Sequence, residues 1–348
     1  FCKLSGVRSG DQLMGVSTFP ASSGGGGGGK NQKTEIITST QSWTAPSDVT
    51  EIEVWVFGGG GGGGGYSAAN SSYQNAGGGG GGGGLDHKEL IITAGSSHTV
   101  TIGAGGSGQA NANDSQAKAA NGIKSVFGSN LAIGYGGTGG TPGTASNFLY
   151  AAVGGFNPST LTSSTFSDDY SGSGGGGGSA FTDNGVMGAG GGGGAGSSAA
   201  NNGAYSSNQN SGNLYNISHG QGYAGAQGMP TNGAWFGIGS YWAGTGGSGK
   251  IGFGGGGGGG LVAGDWGNYN WTHVYNSIRY RGRGTSGGGN GSFSLYNGVP
   301  GANSVRLPSD GAAGTGGGGG GGSRTTWAAH TGGNGGSGVV VIKYWTGT

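Results

Sequence analysis

The chain has 348 residues, a net charge of +1 and only 8% charged residues. That balance argues against a chain held open by its own charge and against a nucleic-acid binder, which needs a basic face to neutralise phosphates. Glycine supplies 100 residues, yet only seven prolines and no Gly-X-Y period exclude a collagen triple helix.

Residues 1–33 show little periodicity and contain Gly24–Gly29, which predicts an attachment tail that joins the protein to another component. Met14 opens a plausible start, so residues 1–13 read as upstream processing or numbering, and no signal peptide is read. Cys2 is the only cysteine, which leaves no internal disulfide and no cysteine metal cluster. No apolar stretch reaches the roughly 18 residues of a membrane span, so no membrane insertion is expected.

From residue 34 the pattern changes. Thr34–Thr38, Gln41–Pro46 and Glu51–Phe57 read as strands, the last with Ile52, Val54 and Val56 on one face. Lys88–Thr93 and Ser97–Ile102 follow, with Val100 and Ile102 on one face. The most apolar strand candidate, Val339–Trp345, stands at the other end of the sequence, and its only comparable partners lie near the start. The N-terminal and C-terminal strands are therefore expected to form one small β-sandwich, 34–102 plus 339–348, with the glycine-rich region 103–338 inserted. The fold class is mostly irregular and all-β, with almost no α-helix.

Between Phe57 and Asp86 stand eight glycines (58–65), the loop Tyr66–Ala76 and eight more glycines (77–84). Glycine has nothing to bury and loses the most backbone entropy on folding, so only backbone hydrogen bonds between neighbouring segments can order such runs. The extended helix of three residues per turn points its N–H and C=O groups outward, and a bundle of such polyglycine II helices satisfies them mutually. Eight residues span about 25 Å at roughly 3.1 Å per residue. The hairpin 58–84 projects from the sandwich, and closing the sandwich requires an even number of excursions. Runs at 58–65, 103–108, 134–143, 190–196, 254–260 and 311–322 are expected to lead outward. Runs at 77–84, 172–178, 237–249, 284–291 and 332–338 are expected to return, with the return between 109 and 134 left open. Near-end loops are then 179–189, 250–253 and 292–310, which hold Phe181, Phe253, Phe293 and Tyr296.

The far-end loops collect most aromatics: Tyr66, Tyr73, Tyr150, Tyr170, Tyr205, Tyr215, Tyr223, Trp235, Trp266, Tyr269, Trp271, Tyr280 and Trp327. Their mixture with Ser, Asn and Gly is that of an antibody-like binding surface, although rings that pack together to cap the bundle would give the same composition. Arg279, Arg281 and Arg283 form the densest basic cluster. It is either a solvated loop or a fork for anionic surface phosphates. No metal, cofactor or catalytic constellation is read. Gly103–Gly108 fits GxGxxG but lacks a following helix and an acidic ribose partner, and Gly244–Lys250 lacks the Ser or Thr of a phosphate loop. The five histidines lack metal-ligand spacing, His98 is expected at the surface of a strand, and Asp168-Asp169 reads as turn chemistry.

Trp43-Thr44-Ala45-Pro46 followed by Glu51–Phe57 into polyglycine resembles the opening of glycine-rich domains in bacteriophage tail-fibre and receptor-binding proteins. Leu90–Gly106, Ser125–Gly128 and Gly336–Ile342 are similar to the same family, so the resemblance covers roughly 34–348. It implies a non-enzymatic adhesin at a fibre tip on the virion surface. A bacterial host-surface receptor, protein or glycan, would be its partner. A second virion fibre or tail protein would be held through 1–33, and the chain would be a homotrimer or a monomer on a trimeric fibre. The alternative is a structural subunit of a virion or extracellular filament whose loops make subunit contacts. An ice-binding face is interrupted by the long aromatic loops, and a depolymerase lacks a legible pair of acids.

Overall fold

The computed structural model describes residues 30–67, 74–112, 118–142, 178–180, 186–188, 253–257, 259–264, 284, 287–296, 305–324 and 329–347. No α-helix occurs among the described residues. Asn31–Ile37, Val339–Thr346, Glu51–Phe57 and Leu85–Ile91 lie side by side in that order as one antiparallel sheet. Ala132–Gly134, Ser125–Phe127, Ser97–Thr101 and Gln41–Thr44 form a second. The terminal strands thus meet as their apolar patterns require. The framework also takes in Ser125–Gly134, beyond the span expected from sequence, and its first strand begins at Asn31.

One core lies between the sheets. Ile37, Ile52, Val54, Val56, Val340 and Ile342 of the first sheet meet Trp43, Val100, Phe127 and Ala132 of the second, with Ile102 packed at the margin. The bundle-side ends of two strands, Trp55–Phe57 and Val339–Val341, are apolar on their other face too, and a second cluster of Trp55, Phe57, Leu85, Val339, Val341 and Phe253 buries it. Phe253 stands at the foot of a glycine run and meets Phe57 at a ring-centroid distance of 4.9 Å. A run of apolar residues with no polar alternation is what burial on both faces demands.

Beyond the sheets, backbone bonding is the main organiser of the chain. The amides of Gly58, Gly59 and Gly60 donate to the carbonyls of Gly84, Ile123 and Gly336 at 2.9–3.0 Å, and those of Gly61, Gly62 and Gly63 to Gly81, Ala120 and Gly333. The partner segment recurs every third residue, which is the period of an extended helix with three residues per turn. Acceptor numbers fall along the run, so all three of these neighbours are antiparallel. The carbonyls of Gly59 to Gly64 accept from Gly137, Gly106, Gly319, Gly140, Gln109 and Gly322 in turn. Those numbers rise within each neighbour, so these three run parallel. The central run therefore has six neighbours, donating to three that return and accepting from three that lead out. A Cβ on Gly61 would stand 2.1 Å from the Thr138 carbonyl oxygen, and one on Gly63 would stand 2.0 Å from that of Gly320. No side chain fits inside this contact.

The bonding also fixes the directions of the other runs. Gly257 and Gly260 donate to Gly80 and Gly77, which makes 254–260 outward as expected. The uncertain return after residue 109 is 118–123, which runs antiparallel to the central run. Runs 172–177, 190–196 and 237–249 lie outside the described residues, and among the described runs the direction expected of 284–291 is reversed. Gly289 and Ser292 donate to Gly318 and Gly321, so 287–292 is parallel to the outward run 316–322. The return is 309–312, whose Ser309 and Ala312 amides reach Asn290 and Gly287. Glycine content marks a run but carries no direction, and that is why the reading slipped by one run.

Candidate interaction surface at the far end of the bundle

The outward runs end where bulkier residues return, and short strands tie their ends together. Tyr66–Ser67 pairs in parallel with Asn111–Ala112. Gln74–Ala76 pairs with both Gly178–Ala180 and Ser323–Arg324, and the latter with Ala329–His330. Leu261–Gly264 pairs with Val186–Gly188 and in parallel with Phe293–Tyr296, which pairs with Val305–Arg306. Gly178–Ala180, Val186–Gly188 and Phe293–Tyr296 are thus at the far end, not in the near-end loops 179–189 and 292–310 assigned from sequence. Beneath them the buried Ser292 Oγ donates to Ser323 Oγ at 2.7 Å, joining two outward runs at their exit. His330 Nε2 is shielded with no hydrogen-bond partner among the described residues, and burial lowers the pKa of this imidazole.

Of the residues expected to bind a receptor, Tyr66 begins a far-end strand. Tyr73, Tyr150, Tyr170, Tyr205, Tyr215, Tyr223, Trp235, Trp266, Tyr269, Trp271, Arg279, Tyr280, Arg281, Arg283 and Trp327 lie outside the described residues. The strands that flank their segments are informative. Tyr73 falls between Tyr66–Ser67 and Gln74–Ala76, and Trp327 between Ser323–Arg324 and Ala329–His330. The segment with Trp266, Tyr269, Trp271 and the three arginines follows Leu261–Gly264. Gly103–Gly108, the GxGxxG match, is an outward run bonded to its neighbours.

A charged cluster that the sequence reading missed lies on the outer face of the first sheet. Cross-strand register places Lys343 beside Glu53 and Trp55 beside His87. Glu53 Oε1 is 2.9 Å from His87 Nε2, and Glu53 Oε2 accepts from Lys343 Nζ at 2.8 Å. The His87 ring stacks on Trp55 at 4.7 Å, and the Lys343 ammonium sits 5.0 Å from the Trp345 ring centroid. Burial acts to raise the Glu53 pKa, but hydrogen bonds and charge from His87 and Lys343 outweigh it and hold the carboxyl below its usual 4.5. The legible signal was a carboxylate and a lysine each standing inside an apolar strand, where each needs a partner. Glu53 is paired to both His87 and Lys343, so the cluster serves the sheet. His98 is half-buried, not on the surface, with its ring 5.3 Å from Phe127 and 6.0 Å from Trp43. Among the described residues no group of three or more His, Cys, Asp or Glu could hold a metal.

A family model described as a glycine-rich domain matches residues 34–302. A search of curated proteins gave no match.

Proposed function

This chain belongs to the glycine-rich domain family, and on that premise we propose that it is a non-enzymatic adhesin at the tip of a virion fibre. Its glycine runs are polyglycine II helices. They form a stiff post from which the far-end aromatic loops reach a bacterial surface protein or glycan. Residues 1–33 attach it to another fibre or tail protein. The observation that carries the reading is the pairing of Gln74–Ala76, Leu261–Gly264 and Ser323–Arg324 at the end away from the sandwich. In the sequence, segments dense in Tyr, Trp, Ser and Asn follow runs that admit no side chain, a pattern that suits a rigid support carrying a variable surface. Aromatic residues give contact area at low entropic cost, and the support limits what else is ordered on binding.

The test is retention of the purified chain on a panel of bacterial cells. Trp266→Ala/Tyr269→Ala/Trp271→Ala should lose retention at least tenfold, while amide protection across 58–84 stays that of the parent. Equal retention by parent and variant, or no retention on any strain together with filament formation, would favour a structural subunit instead.

A further inference from the structure

Side chains in the bundle follow a rule of three on its outermost runs. In 103–109 a Cβ on Gly105 would stand 1.9 Å from the Gly335 carbonyl oxygen, and one on Gly106 would stand 2.0 Å from that of Ala120. The third position of each triplet faces solvent, and there Ala104, Ser107 and Ala110 are exposed. On the neighbouring run, Thr331 and Asn334 are exposed and Ser337 is half-buried at the same spacing. On the other side, Lys118, Asn121 and Lys124 are exposed, again three apart. These runs form one continuous face, because Gly335 donates to Gly106 and Ala120 to Ser107.

This face retains unused bonding capacity. The amides of Ala104, Gly105 and Ser107 and the carbonyls of Gly105 and Gly108 make no bond to any described residue. Two asparagines stand in for a missing run. Asn334 Oδ1 accepts from the Gly108 amide and Asn121 Oδ1 from the Gly139 amide, each at 2.9 Å. A row of open donors and acceptors invites pairing with another chain, as the edge of a sheet does. Inside the bundle, neighbours sit so close that any Cβ meets backbone, so a side chain at every third residue keeps a further run away.

We propose that Ala104, Ser107, Asn121, Lys124, Thr331 and Asn334 close the glycine lattice, and that the face they cover is a blocked docking surface for a glycine run of a second copy of this chain. The chain's own runs have the required three-residue bonding period, which makes a second copy the natural occupant. The inference rests on the bonding alone and not on the host-surface reading.

Ala104→Gly/Ser107→Gly/Thr331→Gly in the full chain removes the block along 103–109 and at the start of the adjacent run 331–337. Sedimentation velocity over a hundredfold concentration range should show its mean mass rising at least twofold above the parent. Ala104→Ser/Ser107→Ala/Thr331→Ser keeps each Cβ and should sediment as the parent does. A glycine variant that keeps parental amide protection at 58–84 and the parental mass would overturn the proposal. If the triple variant loses that protection, Ala104→Gly/Ser107→Gly decides through binding of a lysine-flanked octaglycine peptide. Binding to this variant and not to the parent supports the proposal, and no binding overturns it.

Discussion

The sandwich and the glycine bundle share one chain and are ordered by opposite means. In the sandwich, Ile52, Val54, Phe127, Val340 and Ile342 leave water for a common core, and a fully buried side chain of this kind contributes about 1.5–3 kcal/mol. In the bundle the central run has nothing to remove from water. It is held by bonds on all sides, each worth a net of about 0.5–1.5 kcal/mol, against the largest backbone entropy loss of any residue. The sandwich tolerates error because side chains relax around a cavity. The central glycine run has no side chains of its own with which to relax.

Gly61→Val tests that difference most severely. Its Cβ would meet Thr138 backbone at 2.1 Å, and six surrounding runs would have to part. The expected outcome exceeds the about 1–3 kcal/mol usual for overpacking, and thermal denaturation should show no folded baseline at 25 °C. A cooperative melt within a few degrees of the parent would break the comparison. Phe127→Ala should cost less, about 3–5 kcal/mol, because the sheets can settle into the space. Its denaturant midpoint should fall while the amides of 58–84 keep slow exchange below the transition.

These two positions also mark what could be read in advance. The sandwich was legible because alternation in Glu51–Phe57 and the apolar Val339–Trp345 leave few partners to choose from. The hairpin 58–84 was legible from two equal runs about one loop. The direction of 287–292 was not, since one glycine run carries no label that distinguishes leaving from returning. The Glu53–His87–Lys343 cluster was not, since it depends on register between strands almost three hundred residues apart. Of the residues expected to bind a receptor, only the strand position of Tyr66 falls within the described structure.

The smallest effect comes from titration, which acts on the sandwich because the central run carries no ionisable group. The Glu53 carboxyl is held below its usual pKa, so its stabilisation is present above about pH 4.5 and is lost as pH falls through the lowered value. Burial and the bond to Glu35 push Tyr344 up to about 12. Its contribution is complete below about pH 10 and is lost as pH rises towards 12. A Tm profile should therefore decline at both extremes. Glu53→Gln should flatten the acid limb and Tyr344→Phe the alkaline one, and unchanged limbs would place the sensitivity elsewhere.

The central run has one further consequence, for biosynthesis. Its partners include Gly81, Ala120, Gly319 and Gly336, so Gly58–Gly65 leaves the ribosome long before its last neighbours exist. At roughly 5–20 residues per second that interval is about 15 to 55 s. Until then the donors of Gly60 and Gly63 lack their partners Gly336 and Gly333, and the centre of the finished bundle is among the last places to be enclosed.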